Sequence, residues 1–424
     1  MDAQIAAALK DVSAAHLRAT VEKLVSFGNR STLSANDPAL APKGKGVLAA
    51  RDWIRSEFER YSKDCGGCLD VQLDTFTEAP ADRIPQPTEI SNVFAVLKGT
   101  TDPDRIYLVT GHYDSRNGDN ANIHDPAPGA NDDGSGTAVS MECARVLSKH
   151  KFPATIIFLT VAGEEQGLNG SRHFAKMARE KGWKIDAVLN NDIVGGDRNK
   201  GQDPTIVRVF SEGIPAAATE KDIRMIRALG GENDSSSRQL ARYIRETAKT
   251  YIGGQFGPKL VFRRDRYLRG GDHTAFNQEG FAAVRFTEYR EDFNHQHQNP
   301  RTENGIEYGD LPKFVDFDYV ANVARLNASV LASLASAPAA PGKVRLLTRN
   351  LENDSTIEWE ASPAATAYEV LWRPTTAPEW ENVIPVGNVT HVSLPRSKDN
   401  VIFAVRALDK QGHRSLPVAP EPER

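Results

Sequence analysis

ATIIFLT, residues 154–160, runs directly into VAGEEQG, residues 161–167. The first stretch is short, apolar and rich in β-branched residues, the pattern of a strand covered on both faces. It opens onto two adjacent carboxylates, Glu164 and Glu165. Like charges side by side repel, and burying either is costly without a positive partner. A buried strand that ends on charged residues points to an open α/β sheet, in which ligands gather beyond the carboxyl ends of the strands.

The neighbouring sequence extends that sheet. Apolar runs recur at NVFAVLKG (92–99), RIYLVTGH (105–112), AVLNNDIVG (187–195) and AAVRFTE (282–288). Helical patterns separate them. Leu17, Val21, Leu24 and Val25 make one apolar stripe, with Ser13 placed as an N-cap; Val47, Ile54, Phe58 and Tyr61 make a second. SSSRQLARYIRETAKTYI (235–252) reads as a further amphipathic helix. The expected fold is α/β, with a mostly parallel central sheet and helices on both faces. The segment from about 200 to 262 is longer than a simple connection, and we expect it to shape the ligand pocket.

The composition changes near Ser333. ASLASAPAAPGK (332–343) turns small and Pro-containing, as a linker does. Beyond it the apolar period becomes two: Ile357 and Trp359, then Tyr368, Val370 and Trp372, then Phe403, Val405 and Ala407. This predicts a C-terminal all-β sandwich. The expected division is residues 1–334, a linker at 335–342, and a sandwich at 343–424, with a cut near Ala339 leaving a folded first domain.

A chain of 424 residues exceeds the span of one usual hydrophobic core, in keeping with two domains. The net charge of -4 is too mild to indicate nucleic acid or an anionic membrane as partner. No stretch approaches the roughly 20 apolar residues of a membrane span. The N-terminal MDAQIAAALKDV is too polar for a signal peptide. Cys65 and Cys68 have no further Cys pair or His nearby to complete a zinc site, and a disulfide is expected. Cys143 falls on a helical stripe with Val139, Val146 and Leu147 and reads as inert core.

Carboxylates and histidines gather at the predicted strand ends. LVTGHYDS (108–115) supplies His112 and Asp114, PGANDDGSG (128–136) Asp132 and Asp133, and LNNDIVGGD (189–197) Asp192. FNHQHQNPRTEN (293–304) supplies His295 and His297. A single such residue is more often a satisfied polar side chain than a ligand. A solvated acidic rim, however, would not choose the same sheet edge each time. Mixed His and carboxylate donors without Cys suit Zn²⁺, with Mn²⁺ or Co²⁺ as substitutes. Two ions roughly 3.5–4 Å apart, clamped by a shared carboxylate, would neutralise the set. One glutamate of the Glu164–Glu165 pair can then bind metal while the other takes a proton.

The order GHYDS, PGANDDGSG, GEEQGLNGS, NNDIVG and a late His resembles the M28 family of co-catalytic zinc aminopeptidases over about residues 15–330. The resemblance implies two Zn²⁺ ions. His112, Asp132 and Asp192 would hold one, Asp132 would bridge, and Glu165 with a late histidine would hold the other. Glu164 would be the general base, and Asp114 would orient the His112 ring. The family's late His-Thr is replaced here by NHQHQNPRTEN. His297 is favoured over His295 because Thr302 and Glu303 follow it, as polar residues follow the family's ligand. RGGDHTAF (269–276) matches a further element, with Asp272 and His273 expected to hold a loop. Tyr267 is a candidate donor to the oxyanion, though its spacing departs from the family's.

The tail resembles a fibronectin type III domain, but Val401 stands where that family's corner tyrosine is usual. The sandwich would bind another protein or a polysaccharide.

The implied activity is release of residues from the free N-terminus of a peptide or protein. A carboxypeptidase, a dipeptidase or a one-zinc glutaminyl cyclase would use a similar shell, though a complete second ligand set argues against the cyclase. From a different class, an inactive zinc fold displaying a sandwich for adhesion would have no use for Glu164 as a base. The sandwich, the C-x-x-C pair and the family's habits imply a secreted or periplasmic protein.

Overall fold

The computed structural model describes residues 1–423. The chain opens with three helices, α1 (Ala3–Lys10), α2 (Ala14–Ser26) and α3 (Gly46–Asp64). Ser13 caps α2 by accepting the His16 N–H. Leu17, Val21 and Leu24 of the predicted stripe are buried, as are Val47, Ile54, Phe58 and Tyr61 of α3.

There follow β1 (Leu69–Glu78), β2 (Thr88–Leu97), β3 (Asp102–His112), α4 (Gly134–Leu147), β4 (Ala154–Val161), α5 (Asn169–Glu180) and β5 (Lys184–Asn191). Next come β6 (Ile206–Ser211), α6 (Glu220–Leu229), α7 (Ser236–Tyr251), β7 (Gly257–Val261), α8 (His273–Gln278) and β8 (Ala283–Glu288). A small hairpin, β9 (Arg301–Glu303) with β10 (Ile306–Tyr308), precedes the long helix α9 (Phe317–Ser336).

The sheet runs β1-β2-β4-β3-β5-β8-β6-β7. Its centre, β4-β3-β5-β8, is parallel throughout. The flanks make the whole sheet mixed: β2 pairs antiparallel with β1 and β4, and β6 antiparallel with β8. The connection between β1 and β2, residues 79–87, is shorter than the dozen or more residues a parallel crossover needs. Strands β6 and β7 occupy the long segment between 200 and 262.

Helices cover both faces. One apolar cluster joins α2, α3, α4, α7 and α9 to the sheet; the other joins α5 and α8 through Phe174, Ala178 and Phe276. β4 is buried along its whole length, as a central strand between two helical layers must be. Cys143 lies buried in the first cluster, and Cys65 and Cys68 form a disulfide after α3.

The C-terminal strands are β11 (Gly342–Leu347), β12 (Ser355–Glu360), β13 (Ala367–Pro374), β14 (Asn382–Gly387), β15 (His391–Leu394), β16 (Val401–Leu408) and β17 (Glu421–Glu423). They form two sheets, β15-β12-β11-β17 and β14-β13-β16. Ile357, Trp359, Tyr368, Val370, Phe403, Val405 and Ala407 pack in one core between them, so the period-two residues face inward. The Tyr368 hydroxyl accepts the Ser362 N–H at 2.8 Å.

The segment between α9 and β11 is held in place. Ala337 O accepts from Arg105 Nη2 at 2.7 Å, and Ala339 O accepts from Ser362 Oγ at 2.6 Å. The two sheets also dock against α7 and the loop before it. Arg373 pairs with Asp234 at 2.7 Å, and Arg406 with Glu246 at 2.7 Å.

Candidate active site

The parallel centre of the sheet presents its carboxyl ends to one edge, and the candidate site residues sit there. His112 is the last residue of β3, Asp132 and Asp133 stand before α4, Glu164 and Glu165 follow β4, and Asp192 follows β5. His297 enters from the turn after β8 with a positive φ of 55°.

Asp132 lies at the centre. Its Oδ1 is 3.1 Å from His112 Nε2, and its Oδ2 is 2.9 Å from His297 Nε2. On the His112 side, Asp192 Oδ1 lies 4.0 Å from the same Nε2. Donor atoms of His112, Glu164 and Asp192 fall within 4.8 Å of one another. On the other side, His297 Nε2 is 3.0 Å from Glu165 Oε1, and Asp132, Glu165 and His297 form a second group of the same tightness. Glu164 makes no ion pair among the described residues and stays partly open to solvent.

These atoms fit divalent ions. His112 Nε2 and Glu165 Oε1 are buried and make no hydrogen bond of good geometry, yet each lies close to an oppositely charged atom. Donors that converge without bonding one another are arranged to face a common cation. Two imidazoles and several carboxylates without thiolate suit Zn²⁺, Mn²⁺ or Co²⁺.

The electrostatics agree. Burial would push the His112 imidazole down, but Asp114 and Asp132 outweigh it and hold it well above its ordinary value. Burial opposes His297 as well, and Glu165 and Asp132 raise it to about 10. Burial, then the carboxylates of Asp192, Glu165 and Asp272, push Glu164 well up. The set therefore draws positive charge to itself, and its glutamate is a ready proton acceptor once cations offset its neighbours.

Asp114 touches the His112 ring on its other nitrogen: Nδ1 lies 3.3 Å from Asp114 Oδ1 and 3.2 Å from Asp114 O. Its Oδ2 accepts from Thr32 Oγ1 at 3.0 Å. His295 turns away from the cluster; it pairs with Asp197 and stacks on Phe314. His273 Nε2 donates to Arg264 O at 2.8 Å and so holds the loop before α8. Asp272 is wholly buried near the site, and burial raises it to about 7. Tyr267 stands apart: it is 73 % exposed, with the Arg263 guanidinium over its ring at 5.2 Å.

Four residues support the site: Asp133, which the PGANDDGSG motif contained without indicating its role, and Asp310, Arg30 and Arg285, which no motif signalled. Asp133 caps α4 through the Gly136 N–H and also accepts the His112 N–H, both at 2.9 Å. Asp310 accepts the Asn131 and Asp132 N–H groups. Buried Arg30 donates to Tyr113 O, Pro128 O and Gly129 O, tying together the loops that carry Asp114 and Asp132. Arg285 pairs with Asp192 at 2.7 Å. The first two could only have been guessed as generic carboxylates, because their partners are distant in sequence or lie on the backbone.

Residues 92–316 match the family model described as Peptidase family M28. A protein of Pyrenophora teres f. teres named "Probable zinc metalloprotease" is 47% identical over 428 residues, covering 99% of this chain and 87% of its own. One of the same name from Pyricularia oryzae is 47% identical over 437 residues, covering 99% and 85%. Among solved structures, the Legionella pneumophila LapA aminopeptidase aligns with a TM-score of 0.55 at 22% identity, over 78% of this chain and 74% of that one. The Fimbriiglobus ruber glutaminyl cyclase aligns with a TM-score of 0.53 at 18% identity, over 76% and 95%. At such identities these two likenesses speak for the fold alone. The family match covers more than half of the chain and spans the strand ends and loops that carry His112 through His297: the chain belongs to peptidase family M28.

Proposed function

We propose that this chain is a two-zinc metallopeptidase that removes residues from the N-terminus of peptides. The observation that carries the reading is the division of Asp132, one oxygen toward His112 and the other toward His297. A carboxylate so placed would be shared by two cation positions. His112, Asp132 and Asp192 would hold one ion, and Asp132, Glu165 and His297 the other. The relatives' name, zinc metalloprotease, supports the choice of metal.

Bound zinc would supply Lewis-acid polarisation of the scissile carbonyl and an acidified water. The rest falls to the chain. Glu164, partly solvent-open and grouped with His112 and Asp192, takes the proton of the attacking water and returns it to the leaving amine. Asp114 keeps His112 in one tautomer and orientation through Nδ1. The carboxylates around Glu164 offer a substrate's free α-amine an acidic surface, which favours an aminopeptidase over a carboxypeptidase. Tyr267 would have to swing inward from its exposed loop to donate to an oxyanion.

The C-terminal sheets would form a fibronectin type III-like domain, with the Tyr368 hydroxyl bond standing in for the missing corner tyrosine. The Cys65–Cys68 disulfide supports export to an oxidising compartment.

The test is metal content together with hydrolysis of aminoacyl-anilides and of the same peptides with blocked N-termini. The reading expects two ions per chain and activity only on free N-termini. Cleavage of blocked peptides would remove the aminopeptidase assignment, and activity unaffected by complete metal removal would remove the metallopeptidase assignment.

A further inference from the structure

Asp192 has a second partner besides the metal-facing cluster. Arg285, on β8, is fully buried and places Nη1 2.7 Å from Asp192 Oδ2. Its Nη2 donates to Asp192 O at 3.3 Å, and Nη1 also reaches Gly270 O at 3.2 Å. The loop before α8 packs closely on the pair. A Cβ on Gly271 would fall 2.4 Å from Arg285 Nη1 and 3.3 Å from Asp192 Oδ2, so a side chain there would push the guanidinium from its present place. Behind the guanidinium stands Asp265, 3.6 Å from Arg285 Nη1 and itself held by Arg266 at 2.9 Å.

The opposite half of the centre has no such counter-ion. Glu165 and Asp132 Oδ2 meet His297, and Gln296 Nε2 donates a neutral hydrogen bond to Asp132 Oδ2 at 2.8 Å. Among the described residues, no Lys or Arg pairs with Asp132 or Glu165. The two cation positions therefore differ by a buried guanidinium, partly compensated by Asp265, that meets a carboxylate of one position and not of the other. Inside a protein, a charge that close to a ligand weakens that ligand's attraction for a divalent ion far more than it would in water.

We propose that Arg285 makes the two metal positions unequal: it claims Oδ2 of Asp192, leaves Oδ1 as that residue's single metal-binding atom, and makes the His112–Asp192 position the weaker of the two. Arg285 is a positioning residue, acting through Asp192. The weaker position holds an ion less neutralised by its ligands, and so a stronger Lewis acid. The proposal rests on the two-metal reading above and deepens it.

The experiment is a zinc titration of the metal-stripped full-length chain against a competing chromophoric chelator. The wild type is expected to bind two ions with affinities at least about tenfold apart. His112→Asn should abolish the weak step and His297→Asn the tight one. Arg285→Met should strengthen the weak step by about fivefold or more and leave the tight step within about twofold. Arg285→Lys, which keeps the charge, should preserve the gap. Asp265→Asn leaves Arg285 less compensated without touching a ligand, and should widen the gap; it decides the matter if Arg285→Met does not fold. Two ions of equal affinity in the wild type, or a gap unmoved by both Arg285→Met and Asp265→Asn, would overturn the proposal while leaving two metals intact. A chain that takes up one ion at saturation would instead overturn the two-metal reading and the proposal with it.

Discussion

Asp310 Oδ2 accepts the backbone N–H of Asp132 at 2.7 Å, while its Oδ1 accepts that of Asn131 at 2.8 Å. One buried carboxylate thus fixes the peptide that aims Asp132, the candidate shared ligand. Ala130 N–H adds a third bond, to Asp310 O. Asp310→Ala would strand two buried N–H groups, at a cost of about 1–3 kcal/mol each where water cannot replace the acceptor. We expect a lower Tm and a weaker hold on metal, since Asp132 loses its aim. Asp310→Asn keeps one acceptor and should fall between. Chelator competition and thermal melts on both variants check this; unchanged metal affinity in Asp310→Ala would show that the loop is held by its other bonds.

The two glutamates should separate by role. Glu164→Gln keeps size and removes a base, so turnover should drop by at least ~10²-fold with metal content unchanged. Glu165→Gln removes a charged donor from the group with Asp132 and His297. It should weaken metal binding, and excess zinc should restore part of the activity. A base acts as charge moves, whereas a ligand is needed in the resting site. Metal analysis beside turnover distinguishes them, and the reverse pattern would swap the two assignments.

What the sequence revealed depended on locality. His112, Glu164, Glu165 and Asp192 each adjoin a strand whose apolar run is continuous, and Asp132 adjoins a helix start, so motif and element reinforced one another. His295 and His297 lie on a turn rather than a strand, where neither periodicity of two nor 3.6 says which side chain points inward. The positive φ of His297 and the His295–Asp197 pair decide it in space. Arg285 and Asp310 were invisible because their partners lie 93 and 178 residues away along the chain. Antiparallel pairing at the flanks was equally hidden, since the direction of β6 depends on long-range register against β8.

A pH effect on stability should come from Asp186, on β5 and remote from the metal-facing cluster. Burial raises its carboxyl from 3.8 to about 6, with Arg105 opposing. Between those values the folded chain holds a proton that the unfolded chain has released. Stability therefore falls as pH rises through this window, and the cost persists above it. The shift corresponds to roughly 3 kcal/mol at most, and partial solvent contact brings it to about 1–2 kcal/mol. Asp186→Asn should thus melt higher than the wild type at pH 8 and match it near pH 3. Equal melting temperatures at pH 8 would show that the carboxylate is adequately solvated.

The last prediction concerns how firmly the C-terminal sheets hold the α/β unit. Arg373 places both Asp234 oxygens within 2.8 Å of its Nη2, and Arg242 lies 3.5 Å from the same carboxylate. Arg242 Nε donates across to Pro378 O at 2.7 Å, and Trp380 Nε1 to Gln239 Oε1 at 3.1 Å. Arg373 and Asp234 are both buried, so removing Asp234 strands the Arg373 charge at about 3–5 kcal/mol, whereas removing Arg373 leaves Asp234 the more distant Arg242 and should cost less. Arg373→Met and Asp234→Asn should each destabilise, and the double variant should lose clearly less than their sum. Truncation after Ala339 acts differently, because it opens this face to water and lets Asp234 be solvated. The truncated chain keeps β1 to β8, α1 to α9 and every candidate ligand, so it should still fold and hydrolyse small substrates, with a lower Tm. Denaturant melts of the four proteins, with metal content measured in parallel, check the argument. A truncated chain that folds but loses metal would mean that the sheets help to build the site as well as to hold its scaffold.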